Sequence, residues 1–102
     1  MRKLLKRLSD MQGITGFEGK INEEIKSILE PLCDEVNIDP LGSVIGVKRC
    51  GKENAPRVMI EAHIDEIGLI VTSITDDGFI TFTNVGGVDN RILPSLEVTV
   101  HG

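Results

Sequence analysis

The chain has 102 residues, of which 40% are apolar and 26% charged, a composition typical of one globular domain and not of a disordered protein. Its net charge is −5, and residues 52–102 hold only three basic against eight acidic side chains. Such an acidic chain lacks the clustered cations that neutralise phosphates, so we expect no nucleic-acid partner. No apolar stretch approaches the roughly 20 residues of a membrane-spanning helix, so we expect no membrane partner. Two cysteines without CxxC spacing indicate free thiols in the cytoplasm.

Two amphipathic helices are predicted at the start of the chain. The first is expected to end at Gly13, in the left-handed conformation that often caps a helix. The second is predicted over residues 16–32, with Pro31 in its last turn. Thr15 and Glu18 have the spacing of a capping box, in which each side chain accepts a hydrogen bond from the other residue's amide.

The hydrophobic period then changes from that of a helix to that of a strand. Alternation and turn residues predict strands at 35–39, 44–49, 57–63, 67–74, 79–83 and 96–100. Residues 57–63 are mostly apolar, so this strand is predicted to be buried on both faces. Asp77-Gly78 before an aromatic residue predicts a hairpin between the two strands that flank it.

This order of elements predicts an α/β fold with two different parts. Residues 1–67 hold two helices followed by strands, whereas 68–102 hold short strands punctuated by turns, as in a small barrel or sandwich. The last predicted strand reaches the final residues without a partner. We therefore expect the sequence to be a piece of a longer protein.

His63 and Asp65 are the residues most able to carry chemistry. Side chains two apart on a strand project to the same side, so the pair is expected to emerge together where the strand 57–63 ends. Imidazole is a good zinc ligand, and a nearby carboxylate can accept its second N–H. The spacing fits equally a histidine that caps a strand end without metal. Glu61 shares the parity of the pair, and Glu66 is given no role beyond a possible turn.

Several stretches of the sequence resemble the glutamyl aminopeptidase family, the tetrahedral aminopeptidases often labelled endoglucanase or cellulase M. They are residues 9–19 (SDMQGITGFEG), 36–47 (VNIDPLGSVIGV), 62–68 (AHIDEIG) and 85–87 with 91–94 (VGG and RILP). The resemblance covers nearly the whole chain, but only the first third of such enzymes.

The resemblance implies a fold, an activity and an assembly. It implies that 1–67 begin a zinc-peptidase-like catalytic domain and that 68–102 begin an inserted β-barrel domain for oligomerisation. Members of the family are cytoplasmic hydrolases that remove N-terminal residues from peptides. They assemble as homo-oligomers, from dimers to dodecamers.

The resemblance also implies roles for two residues. His63 matches a ligand of a pair of zinc or cobalt ions, and Asp65 matches the carboxylate that orients it. A cis peptide bond after Asp65 is implied as well. The remaining ligands and the general base match no residue of this chain, so we expect the chain alone to be inactive.

Two other interpretations are kept. The chain could be a stand-alone protein-interaction or assembly module without catalysis. It could also be a metal-binding protein that completes its site between subunits through His63 and His101.

Overall fold

A computed structural model describes residues 1–101, which form two helices and four strands in the order α1–α2–β1–β2–β3–β4. Met1–Glu66 form one unit, with both helices and the β1–β2 hairpin, and the chain from Ile67 onward forms a second, with β3 and β4. The predicted α/β class is confirmed. Neither helix in the described part of the chain is long and apolar enough to cross a membrane.

Helix α1 covers Arg2–Ser9 and ends earlier than predicted. Asp10 follows the helix and forms a 2.7 Å ion pair with Lys6, which lies one turn earlier. Gly13 does not adopt a positive φ, so the predicted left-handed cap is wrong. Gly13 is instead buried, and a Cβ at this position would lie 2.4 Å from Cδ1 of Ile21. The glycine therefore allows close packing against α2, and a larger residue would have to displace the end of the Ile21 side chain.

Helix α2 covers Gly19–Leu29, a shorter span than predicted at both ends. Pro31 lies beyond its C-terminus, because proline has no N–H to continue the hydrogen-bond ladder. The predicted capping box does not form. Glu18 accepts a 2.8 Å hydrogen bond from the amide of Gly16, and the Thr15 hydroxyl donates to the carboxylate of Asp65.

Strands β1 (Glu35–Ile38) and β2 (Val44–Val47) form an antiparallel hairpin that packs against α2. Its turn is held by Asp39, whose Oδ1 accepts hydrogen bonds from the amides of Leu41 (2.9 Å) and Ser43 (2.8 Å). An aspartate that bonds amides two residues or more ahead is a common way to close a turn. The strands predicted at 35–39 and 44–49 are confirmed here, and each ends one or two residues earlier than predicted.

The predicted buried strand at 57–63 is wrong. These residues form no strand, and Ile60 is 93% exposed. A strand needs a neighbour for its backbone groups, and β1 and β2 pair only with each other in the described chain. An open groove separates the segment from α2 and the hairpin. The apolar sequence of residues 57–63 indicates that the segment can form a strand, but here it has no neighbouring strand to pair with.

The second unit is built on the predicted hairpin of β3 (Gly68–Ile74) and β4 (Ile80–Val85). The Gly78 amide donates to the Thr75 carbonyl at 2.9 Å, and Gly78 has a φ of +83°, which its lack of a Cβ allows. The strand predicted at 96–100 is wrong, since these residues pair with no strand of the described chain. The start of a barrel domain over 68–102 stays a prediction.

Candidate functional site

His63 and Asp65 lie next to each other on the extended segment that precedes the second unit. The His63 Nδ1 lies 3.1 Å from Oδ1 of Asp65 and 3.0 Å from its backbone carbonyl. Both neighbours are hydrogen-bond acceptors, so Nδ1 must carry the proton of the neutral ring. The lone pair then resides on Nε2, and the His63 side chain is 86% exposed. The roles of metal ligand and orienting carboxylate stay predictions.

The second oxygen of the Asp65 carboxylate has a partner from far away in the sequence. The Thr15 hydroxyl donates to Oδ2 at 2.6 Å, so each carboxylate oxygen contacts a different side chain. The Thr15 hydrogen bond is the largest cause that lowers the pKa of Asp65, and the contact with His63 lowers it further. Hydrogen bonds to the charged form favour that form, so the carboxylate is held as an anion.

Glu66 completes the connection between the two segments. Its amide donates to the Gly13 carbonyl at 2.9 Å, and its Oε1 accepts from the Gly13 amide at 3.2 Å. Ile14 and Glu66 also form an isolated parallel bridge. Glu66 thus joins residues 13–15 to residues 63–66.

Sequence reasoning did not find the roles of Thr15 and Glu66. Local spacing predicts a cap for Thr15 and a turn for Glu66, because it contains no information on partners about 50 residues away. The remaining candidates are less engaged. Glu61 is exposed and is not among the hydrogen-bond partners of the His63 imidazole, and His101 is exposed as well.

The donor set at this site fits a metal in part. A ring with its proton held on Nδ1 and its lone pair free on Nε2 is what a metal-ligating histidine presents. A catalytic zinc takes three protein ligands, however. Among residues 1–101, no three His, Cys, Asp or Glu side chains lie close enough to hold an ion together. The Asp65–Glu66 peptide bond is trans, unlike the implied cis form.

Known proteins with similar sequences are aminopeptidases. The family model described as M42 glutamyl aminopeptidase matches residues 42–102. The glutamyl aminopeptidase of Lactococcus lactis is 37% identical over 96 residues, which are 94% of this chain and 27% of that protein. The lysyl aminopeptidase of Pyrococcus furiosus is 40% identical over 87 residues, 84% of this chain and 24% of that protein. The chain spans about a quarter of the length of these curated relatives.

Solved structures agree with the sequence comparison. A structure named endoglucanase from Thermotoga maritima matches with a TM-score of 0.80 and 46% identity, over 87% of this chain and 28% of that one. A TET aminopeptidase from a marine sediment archaeon of the Thaumarchaeota matches with a TM-score of 0.80 and 38% identity, over 90% and 25%. PhTET1-12s, a dodecamer in its crystal, matches with a TM-score of 0.74 and 36% identity, over 91% and 27%. Sequence and fold thus lead to one assignment, and the chain belongs to the M42 glutamyl aminopeptidase family.

Proposed function

We propose that this chain is the N-terminal portion of a metal-dependent aminopeptidase that removes N-terminal residues from peptides. The observation that supports it most is the His63 ring, whose Nδ1 lies against two acceptors of Asp65 while its side chain is 86% exposed. Because the chain belongs to an aminopeptidase family, we assign this arrangement to metal binding in peptide hydrolysis. We further propose a two-ion site for zinc or cobalt, a homo-oligomer and a cytoplasmic location.

Each residue of the pair has a distinct task in this proposal. Divalent ions in peptidase sites supply Lewis-acid polarisation of the scissile carbonyl. His63 would hold one ion through Nε2. Asp65 would keep the ring in the required tautomer and orientation, and its negative charge would raise the basicity of the ring. Neither residue is assigned proton transfer to or from the substrate.

The assignment of the two residues can be tested in a chimera. Residues 1–102 would replace the matching quarter of the Lactococcus lactis enzyme, and activity on aminoacyl-anilides and metal content after dialysis would be measured. We expect His63→Ala to lose metal and activity. Asp65→Asn keeps the side-chain shape but weakens the acceptor, so we expect a loss of about 10- to 100-fold, or roughly 1.4–2.7 kcal/mol.

His101→Ala is the matched control for that experiment, because it removes the other histidine of the chain. It should retain metal and activity. A chimera that keeps its full metal content with His63→Ala would overturn the ligand assignment. Equal and small effects of both histidine changes would likewise leave His63 without a role in metal binding.

The chain by itself should show no aminopeptidase activity. One imidazole and one carboxylate cannot hold a catalytic ion with an open coordination position. Purified chain would be assayed on aminoacyl-anilides with added zinc or cobalt, beside His63→Ala prepared in the same way. Turnover by the unmodified chain above that of the variant would contradict the prediction.

A further inference from the structure

Three hydrogen bonds connect residues 13–15 to residues 65–66, and only one of them reaches the carboxylate beside His63. Two of them join Gly13 and Glu66, since the Glu66 amide donates to the Gly13 carbonyl and the Gly13 amide donates to the Glu66 carboxylate, and they fix how the segments lie along each other. The third bond, from the Thr15 hydroxyl to Oδ2 of Asp65, fixes the direction of a side chain. At 2.6 Å it has the short length of a hydroxyl bond to an anion.

This bond has a geometric consequence for the imidazole. A carboxylate on a single-bonded stem can rotate, and rotation would take Oδ1 away from Nδ1. The Thr15 hydroxyl holds Oδ2, and the other oxygen is thereby left at 3.1 Å from the ring nitrogen. Asp65 is also 40% exposed, so water competes for its oxygens unless the protein holds them.

We propose that Thr15 is a positioning residue, which fixes the His63 imidazole with its proton on Nδ1 and its lone pair on Nε2 by anchoring the Asp65 carboxylate. The Thr15 hydroxyl bonds Asp65 and not the imidazole ring, so it acts on the ring through Asp65. Its importance for metal binding rests on the proposed function, but its effect on the ring does not. The experiment can therefore contradict the positioning role of Thr15 without contradicting the proposed metal-dependent function, and the reverse is also true.

The test measures the tautomer of His63 in the full chain without metal. Diethyl pyrocarbonate reacts with a neutral imidazole nitrogen that carries a lone pair, and mass spectrometry quantifies the product at high dilution. A free imidazole prefers its proton on Nε2, so holding it on Nδ1 makes Nε2 more reactive. The exposed His101 serves as an internal reference in the same sample.

We expect His63 to react several-fold faster than His101 in the unmodified chain. Asp65→Asn should remove part of this excess, because the Asp65 backbone carbonyl still lies 3.0 Å from Nδ1. Thr15→Val, which loses only the hydroxyl, should remove at least half of what Asp65→Asn removes, and Thr15→Ser should preserve the excess. Thr72→Val is the matched control, because it removes a threonine hydroxyl that bonds Thr81 in the other hairpin at 3.0 Å. It should leave the ratio unchanged.

Hydrogen exchange of α2 in the same samples reports whether each variant is folded. If Thr15→Val loses protection there, Thr15→Ala, which lacks the hydroxyl and places no methyl group against the carboxylate, takes its place in the comparison. An unchanged ratio in a folded variant without the hydroxyl would overturn the proposal. A Thr15→Ser ratio as low as that of Thr15→Val would overturn it too, since the hydroxyl would then not be the cause.

Discussion

Asn22 is a buried polar residue on α2 whose side-chain oxygen is unsatisfied. Only 8% of the residue is exposed, and Oδ1 has no hydrogen-bond partner among residues 1–101. A buried acceptor without a partner costs about 1–3 kcal/mol. The side chain faces the turn that joins β1 and β2, since a Cβ on Gly42 would lie 3.0 Å from its Nδ2. Asn22 thus fills space in the first unit at an energetic cost.

Removing the amide should therefore stabilise the chain, unlike most truncations of buried residues. We expect Asn22→Ala to raise the free energy of unfolding by about 0.5–1 kcal/mol, because the unpaired oxygen is lost and alanine is the better helix former. Ile21→Val is the matched control on the preceding, buried apolar residue, and should lower it by about 0.5–1.5 kcal/mol. Urea titration of both variants measures the two changes. A loss of stability in Asn22→Ala would mean that the amide does bond a partner.

Single residues also show where sequence patterns contain enough information. His63 and Asp65 could be found because their relation is two positions along one segment. The sequence predicts a helix cap at Gly13, because a glycine that packs against Ile21 has the same local pattern as a glycine that ends a helix. Thr15 fits a capping box as well as it fits its actual role. Thr15 bonds Asp65 because folding brings these two residues together, and local spacing does not contain that contact.

At the scale of elements, Asp34 holds the end of the β1–β2 hairpin. Its carboxylate accepts hydrogen bonds from the Arg49 amide and, at 3.3 Å, from the Lys48 ammonium. The Arg49 amide is the largest cause that lowers the pKa of Asp34 below its ordinary value of 3.8. A carboxyl whose pKa is lowered in the folded state stabilises that state above the ordinary pKa. This contribution disappears as the pH falls through the lowered value.

Asp34→Asn should therefore be less stable than the unmodified chain at neutral pH, and the difference should shrink in acid. Urea midpoints of both proteins would be compared from about pH 7 down to about pH 3. Glu53→Gln, on an exposed loop, is the control and should show no such convergence. A gap between the Asp34→Asn and unmodified proteins that stays constant below pH 3.8 would contradict the lowered pKa.

Elements were predictable where their partner is close in sequence. Both hairpins have their strands within a few residues of each other, and alternation with turn chemistry predicts all four of these strands. The strands expected at 57–63 and 96–100 failed for one reason. Hydrophobic pattern shows that a segment can pair, but not whether a neighbouring strand is present to supply the hydrogen bonds.

At the scale of the whole molecule, the chain exposes far more surface than a protein of its size should. Its accessible surface is 9126 Å² for 11.1 kDa. A folded monomer of that mass is expected to expose about 5,700 Å², or roughly 6,800 Å² if its mass is divided between two independent units. The excess is above 2,000 Å² even on the second count. Among residues 1–101, Ile21 is the only buried hydrophobic side chain, so the core is minimal.

Part of this surface belongs to three apolar residues that follow one another in the sequence. Val58 and Met59 are 83% exposed and Ile60 is 93% exposed, on a segment whose backbone pairs with no strand of the described chain. Unpaired backbone and apolar side chains together favour association with another copy or another chain. We therefore predict that the purified chain associates as its concentration rises, which light scattering measures directly.

Two charges on the apolar segment should suppress that association. Met59→Lys with Ile60→Lys replaces exposed side chains that contribute little to the fold, so the free energy of unfolding should hardly change while the average mass falls toward 11.1 kDa. The matched control, Gln12→Lys with Asn37→Lys, adds the same two charges at other exposed positions and separates the loss of apolar surface from a simple change in net charge. We expect it to associate nearly as strongly as the unmodified chain. A control that dissociates as fully as the double variant would assign the association to net charge. A monomer at every concentration for the unmodified chain would show that the exposed segment is tolerated in water.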